Sequence, residues 1–248
     1  MMDAGGGGVD TRGDEEDSVN IDFLEGIFRE LALKIFSAVT LTQQIEHFKE
    51  YKEKLRRELG GAAADHIVAR SLYLFSASDF LGNYLLFPVR RGRFTLLEYE
   101  AYLVGAAEAA VRAVYALGAR RVRLPGLPPL GCLPLQRTVN LATPGDCNRL
   151  HNMVARRFNR GLRAMVYVDI YRHLADVMAR PWAYGFENSV RGCCGTGYFE
   201  TGVLCSLDNA LTCEDADKYV FFDAVHPSQR AYKIIADAIV HAASHRPE

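Results

Sequence analysis

The chain has 248 residues, of which 49% are apolar and 24% are charged, and its formal net charge is −1. This apolar content excludes a wholly disordered chain, and the near-neutral charge argues against a nucleic-acid partner, which usually requires a strongly basic face. Because no uncharged apolar run reaches the roughly 18 residues of a membrane span, the sequence predicts a soluble globular protein without a transmembrane segment.

The first residues differ in composition from the rest of the chain. Residues 1–20 hold six acidic residues against one arginine, a net charge of −5, and four consecutive glycines, which leaves a net charge of +4 for residues 21–248. This composition predicts a disordered, acidic, glycine-rich tail over residues 1–20. It also lacks the basic start and apolar run of a secretory signal. Residues 21–39 are expected to form a separate amphipathic helix.

The first element after this region is an amphipathic helix. Thr40 and Gln43 form a candidate capping box, and apolar residues at helical spacing follow until Gly60 and Gly61 stop the helix. Residues 71–75 are a short apolar run of strand length.

A second capping box precedes the next helix. Thr95 and Glu98 have the required spacing, and Phe94 and Tyr99 are placed to form a hydrophobic staple across the helix start. The helix is expected to end at Gly118, because glycine favours the C-terminal position of a helix.

The second half of the chain continues to alternate strands with helices. Its expected elements are a strand at 121–124, a loop at 126–146, a helix at 148–165, a strand at 166–168, a helix at 171–179, a segment that is mostly loop at 181–217, a strand-like or simply buried segment at 219–222, and a helix that begins near Pro227 and carries Tyr232, Ile235, Ala236 and Ile239 on one face. Alternation of this kind predicts parallel βαβ units and an α/β fold.

Six cysteines lie in the second half, in glycine- and proline-rich loop sequence: Cys132, Cys147, Cys193, Cys194, Cys205 and Cys213. An even number clustered in loops is typical of a disulfide framework, although the sequence does not choose the pairing. The alternative is a zinc site, against which stand the lack of a Cys-x-x-Cys pair and of a nearby histidine. Disulfides favour a secreted protein and the missing signal opposes it, so the compartment stays open.

The sharpest local feature is Asp223 followed three residues later by His226, at a junction between a strand and a helix. At such a junction both side chains can face the crevice at the carboxyl end of the strand. The aspartate could fix the tautomer of the histidine, which could then act as general base toward a hydroxyl nucleophile. The alternative interpretation is that His226 is a residue of the helix cap beside a surface aspartate.

Six motifs in order along the chain carry a resemblance to a known family. They are Gly118-Ala-Arg-Arg-Val122, Gly126-Leu-Pro-Pro-Leu-Gly-Cys-Leu-Pro134, Asn152-x-x-Ala155-x-x-Phe158-Asn159, Tyr184-Gly-Phe186, Cys193-Cys-Gly-Thr-Gly197 and Asp215-Ala-Asp-Lys-Tyr-Val-Phe221. From about Leu41 to Ala238 the chain resembles the plant GDSL esterase/lipases of the SGNH hydrolase superfamily.

The resemblance implies a flavodoxin-like, three-layer α/β/α parallel sheet and hydrolysis of carboxylic esters, with ester or lipid substrates and no cofactor or metal. It implies a Ser, Asp, His triad in which Asp223 and His226 are the aspartate and histidine. Members of the family are usually secreted.

The chain departs from the family pattern at the nucleophile and the oxyanion hole. No Gly-Asp-Ser occurs in it, and Gly145-Asp146-Cys147 aligns with a family loop cysteine that is a disulfide partner. Residues 76–80 lack the family's glycine and oxyanion asparagine, and Asn83 matches a later asparagine. We therefore assign no nucleophile and no oxyanion hole in this sequence, and expect no triad-type turnover.

Residues 40–243 are accordingly expected to be a partial SGNH/GDSL hydrolase domain that lacks the family's first strands. The strand at 71–75 would then have an unpaired edge, through which the chain could self-associate. Two alternatives to an active esterase stay open: a non-catalytic truncated isoform or pseudoenzyme with at most a binding role, or an incomplete gene model.

Overall fold

The computed structural model describes residues 39–75, 84–85, 90–165, 167–205 and 211–244. The predictions for the acidic tail, for residues 21–38, for residues 76–80 and for Asn83 lie outside the described residues. By its internal contacts the chain divides into two units, Met1–Lys54 and Leu55–Glu248.

The described part of the chain contains helices separated by short strands. The helices are α1 (Leu41–Leu59), α2 (Gly61–Arg70), α3 (Leu96–Ala116), α4 (Pro134–Thr138), α5 (Arg149–Leu162), α6 (Ile170–Ala179) and α7 (Gln229–Ser244), and the strands are β1 (Leu72–Leu74), β2 (Arg121–Pro125), β3 (Tyr167–Val168), β4 (Asn188–Gly192) and β5 (Tyr219–Phe221). Among the described helices, none combines the length and the apolarity that crossing a membrane requires.

Both predicted capping boxes form. At the start of α1, the Thr40 amide donates to Gln43 Oε1 at 2.9 Å and the Gln43 amide donates to Thr40 Oγ1 at 3.2 Å. At the start of α3, the same two bonds join Thr95 and Glu98. Each box satisfies backbone donors that a helix start otherwise leaves unpaired.

The predicted hydrophobic staple of α3 also forms. The ring centroids of Phe94 and Tyr99 lie 5.7 Å apart, and Tyr99 stacks on Tyr84 at 5.0 Å. Tyr99 is only 3% exposed, so this aromatic group fixes the angle at which the chain enters the helix.

The strands form two parallel sheets. In the first, β2 lies between β1 and β3, with Tyr73 opposite Val122 and Leu124 opposite Tyr167. In the second, β4 pairs with β5. The predicted α/β class with parallel strands is confirmed.

Three elements differ from the sequence predictions. The segment between α1 and β1 contains the helix α2, which was not predicted. Gly60 adopts a φ of 82°, which ends α1, and the alanine-rich segment after it begins α2. The predicted loop 126–146 contains α4, which Pro134 starts at a position that proline favours. The predicted loop 181–217 contains β4, whose polar sequence carries no strand pattern and which is a strand through its pairing with β5.

The core is built mainly from α5, α6, α7, β5 and the loop that follows β2. Among its fully buried side chains are Leu127, Phe158 and Phe221. The buried amide of Asn159 supports that loop, since Oδ1 accepts from the Leu127 amide at 2.6 Å and Nδ2 donates to the Leu127 carbonyl at 2.8 Å. Val220 and Phe221 of β5 belong to this core, and the candidate site begins where β5 ends.

Candidate active site

The turn from Asp223 to His226 connects β5 to the segment that leads into α7. Asp223 Oδ1 accepts from the backbone amides of Val225 at 2.7 Å and His226 at 2.6 Å. An aspartate side chain that binds its own backbone in this way closes a tight turn. This turn brings the side chain of His226 back against the carboxylate of Asp223, three residues before it.

The structure brings together the two predicted site residues. His226 Nδ1 lies 2.7 Å from Asp223 Oδ2, and the side chain of Asp223 is 4% exposed whereas that of His226 is 58% exposed. Because an ionised carboxylate only accepts hydrogen bonds, we assign the proton to Nδ1 and leave Nε2 as the basic nitrogen. Among the described residues, none hydrogen-bonds to Nε2, so this nitrogen is open to a ligand.

The turn is anchored from two other parts of the chain. The Ala224 amide donates to the Glu200 carbonyl at 2.9 Å, and the Ala224 carbonyl accepts from the Leu135 amide at 2.9 Å. The Gly202 amide donates to Asp223 Oδ2 at 3.3 Å. Asp223 therefore receives hydrogen bonds from its own turn and from a distant loop, which limits the orientations open to its carboxylate.

A cavity of about 540 Å³ opens beside His226. Its walls include the side chains of Phe222, Pro227 and Tyr232, with Asp217 among the polar residues at its border. The volume lies within the range of small-molecule sites, roughly 300–1,000 Å³. Burial raises the pKa of the Tyr232 phenol, and the nearby charge of Asp223 raises it further, so this hydroxyl stays protonated.

Tyr232 is a residue whose role the sequence did not indicate. The helical pattern placed it on one apolar face with Ile235, yet Ile235 is 7% exposed and Tyr232 is 50% exposed. The buried face of α7 is centred on Ala231 and Ile235, which are 0% and 7% exposed, so Tyr232 lies beside that face and borders the cavity. Its position in the first turn of α7, six residues after His226, was the available signal.

All six cysteines are paired, as Cys132–Cys147, Cys193–Cys213 and Cys194–Cys205. The predicted disulfide framework is confirmed, and these sulfur atoms offer no thiolate to a zinc ion. In Gly145-Asp146-Cys147 the cysteine is likewise committed to Cys132, so it is no nucleophile in this structure. Within the described ranges, no three His, Cys, Asp or Glu side chains are grouped to hold a metal.

Comparison with known proteins shows which family and which plant proteins the chain is similar to. Residues 37–239 match the sequence model of a family described as GDSL-like Lipase/Acylhydrolase. The chain is similar to the Arabidopsis thaliana proteins GDSL esterase/lipase At2g42990, with 40% identity over 218 residues, and GDSL esterase/lipase At4g26790, with 39% identity over 221 residues. The matches cover 82% and 83% of this chain but 62% and 63% of those relatives, so the chain spans less than two thirds of their length.

Proposed function

The chain belongs to the GDSL-like lipase/acylhydrolase family, and we propose that Asp223 and His226 are the general-base pair of a site that hydrolyses carboxylic esters. The observation that carries the proposal is the 2.7 Å contact between His226 Nδ1 and Asp223 Oδ2, made by a buried carboxylate and an exposed imidazole. Asp223 keeps the proton on Nδ1 and stabilises the imidazolium that forms, while Nε2 takes the proton of a hydroxyl nucleophile.

The cavity beside His226 supports a substrate with an apolar part. Phe222, Pro227 and Tyr232 can pack against an acyl chain or an apolar alcohol, and the ester carbonyl would then lie near Nε2. We therefore propose lipid-like esters as the substrate class.

We further propose that these 248 residues alone do not turn over esters by a triad mechanism. The sequence contains no Gly-Asp-Ser, and the one cysteine in a similar tripeptide is held in a disulfide. Members of a triad act as a unit, so that loss of the nucleophile alone removes most of the rate. The same observations support a second candidate function, a non-catalytic role in which the pair and its cavity bind an ester.

The test adds the part of the chain in which the family resemblance implies the serine nucleophile. In a chimera, the segment of the At2g42990 protein that precedes its similarity to this chain replaces residues 1–39. We expect slow hydrolysis of a short-chain p-nitrophenyl ester by the chimera, because residues 76–80 still lack the oxyanion asparagine, and a fall in kcat of roughly 10³-fold or more on His226→Ala. We expect no hydrolysis by the 248-residue chain.

His66→Ala, which alters an exposed histidine of α2, serves as the matched control and should leave kcat unchanged. A folded chimera whose activity does not depend on His226 would contradict the general-base assignment. His226-dependent turnover by the 248-residue chain would contradict the proposed lack of activity.

The exposed apolar side chains of β1 support a second proposal, that the chain self-associates there. β1 pairs with β2, and Leu72 and Leu74 are 59% and 64% exposed. Exposed apolar side chains on a strand favour association with another chain. Light scattering after size exclusion should show oligomers that the double variant Leu72→Lys, Leu74→Lys reduces to monomer.

The control for this experiment is Leu141→Lys, at an exposed loop residue far along the sequence from β1, which should leave the mass unchanged. A monomeric parent chain, or an oligomer insensitive to the β1 variant, would contradict the proposal.

A further inference from the structure

The side chain of Glu200 organises the loop that precedes it. Its Oε1 accepts from the Thr196 amide at 3.0 Å, and its Oε2 accepts from the amides of Gly197 at 3.1 Å and Phe199 at 3.3 Å. The Thr196 hydroxyl donates to the same carboxylate at 2.8 to 2.9 Å. One carboxylate therefore satisfies three backbone donors and a hydroxyl, and it closes residues 196–199 into a compact loop.

This loop fits closely around the carboxylate. A methyl group added at Gly195, which has a φ of 60°, would lie 2.7 Å from Glu200 Cδ, so the position requires glycine for both its backbone conformation and its contact. Burial alone would raise the pKa of Glu200, but the hydrogen bonds from Thr196 and Phe199 outweigh it and lower the pKa to about 2. The carboxylate is thus ionised at neutral pH, and its hydrogen bonds are charge-assisted.

The same loop reaches the candidate active site. The disulfide Cys194–Cys205 closes it at both ends, and two of its backbone groups bind the turn of the site. The Glu200 carbonyl accepts from the Ala224 amide at 2.9 Å, and the Gly202 amide donates to Asp223 Oδ2, the oxygen that also binds His226.

We propose that Glu200 is a positioning residue for the Asp223–His226 pair, acting through the backbone of its loop. With the carboxylate in place, the Glu200 carbonyl and the Gly202 amide stand where they hold the turn and one oxygen of Asp223. Without it, three amides of the loop lose their acceptor, the loop opens, and both anchors move away from the turn. The catalytic meaning of this role rests on the proposed function, but the structural coupling does not.

The experiment follows the pair by NMR in the oxidised 248-residue chain, without any substrate. The first readout is the deshielded proton on Nδ1 of His226, and the second is the rate at which the Ala224 and Gly202 amides exchange with solvent. Glu200→Gln replaces one carboxylate oxygen, which accepts hydrogen bonds, by an NH₂ group, which only donates them. In this variant we expect the Nδ1 proton signal of His226 to broaden or vanish. We expect both amides to exchange about tenfold faster or more, as the loss of a hydrogen bond implies.

Three further variants separate positioning from loss of charge. Glu187→Gln removes an exposed carboxylate of the same half of the molecule, one that pairs with Lys218, and should change neither readout. Thr196→Val removes the hydroxyl that donates to Glu200 and accepts from the Tyr198 amide at 3.4 Å, keeps the carboxylate, and should give a smaller change in the same direction. Glu200→Asp keeps the charge on a shorter side chain and should restore part of the Nδ1 signal.

The amides of α5 report whether any change is global. Faster exchange at Ala224 and Gly202 with unchanged exchange in α5, together with loss of the Nδ1 signal, supports the proposal. It is overturned if Glu200→Gln loosens residues 196–199 yet leaves the His226 signal intact, or if α5 loosens to the same degree. Neither result depends on ester hydrolysis, so a chimera whose activity does not depend on His226, found together with an intact coupling, would reject the proposed function alone.

Discussion

Two four-residue segments made only of apolar and aromatic residues differ in burial in this molecule. Leu72-Tyr-Leu-Phe75 contains β1, and Tyr219-Val-Phe-Phe222 contains β5. Val220 and Phe221 are fully buried, whereas Leu72 and Leu74 are 59% and 64% exposed. Apolar composition therefore does not determine burial, which depends on what the rest of the chain brings to each strand.

The difference lies in the partners of the two strands. β5 is held by β4, by the Cys193 amide on the Phe221 carbonyl at 3.1 Å, and by the Ser228 amide on the Val220 carbonyl at 2.8 Å. β1 has β2 as its described partner strand. The proposed catalytic pair follows the strand that is held on several sides, as preorganised chemistry requires.

The largest expected effect tests this contrast directly. Phe221→Ala leaves a cavity in the core and should lower the free energy of unfolding by about 3–5 kcal/mol. Leu74→Ala removes an exposed side chain and should lower it by about 0.5 kcal/mol or less. Urea denaturation of both variants measures the two values, and equal losses would show that β1 is buried in solution.

A smaller effect distinguishes Glu200, beside the candidate site, from the exposed Leu74 of β1 by the pH dependence of the unfolding free energy. The pKa of Glu200 is about 2 in the folded chain against an ordinary 4.5, so its stabilising contribution is complete above pH 4.5 and is lost as the pH falls toward 2. The difference in unfolding free energy between the parent chain and Glu200→Gln should shrink over that interval. The corresponding difference for Leu74→Ala should stay constant, and a pH-independent Glu200 difference would contradict the assigned hydrogen bonds.

Features set by neighbouring residues could be predicted from the sequence. The capping boxes and the contact between Asp223 and His226 all join residues three positions apart, where spacing alone decides which groups can meet. The alternation of strands and helices gave the α/β class for the same reason, and the motifs gave the family.

Features set by distant residues could not be predicted in this way. The Gly202 amide reaches Asp223 across 21 positions, and β4 is a strand because β5 lies beside it. Nothing in the residues around Gly202 or Asn188 encodes these partners, since both contacts depend on how the cysteine-rich loops are folded. The place of Tyr232 at the cavity could not be predicted for a related reason. Helical periodicity separates apolar from polar residues but does not show where a cavity begins.

The adjacent cysteines add a consequence of a different kind, which concerns strand register. Cys193–Cys213 encloses Cys194–Cys205, so the two bridges are nested along the chain. The amides of Cys193 and Cys194 bind the carbonyls of Phe221 and Phe222, so both cysteines are aligned with the end of β5. A shift of this segment by one residue would move only one of the two cysteines into the place of its neighbour, and at least one of the two bridges could not form. Peptide mapping of the bridges therefore reads out, by covalent chemistry, the alignment on which the turn at Asp223 depends.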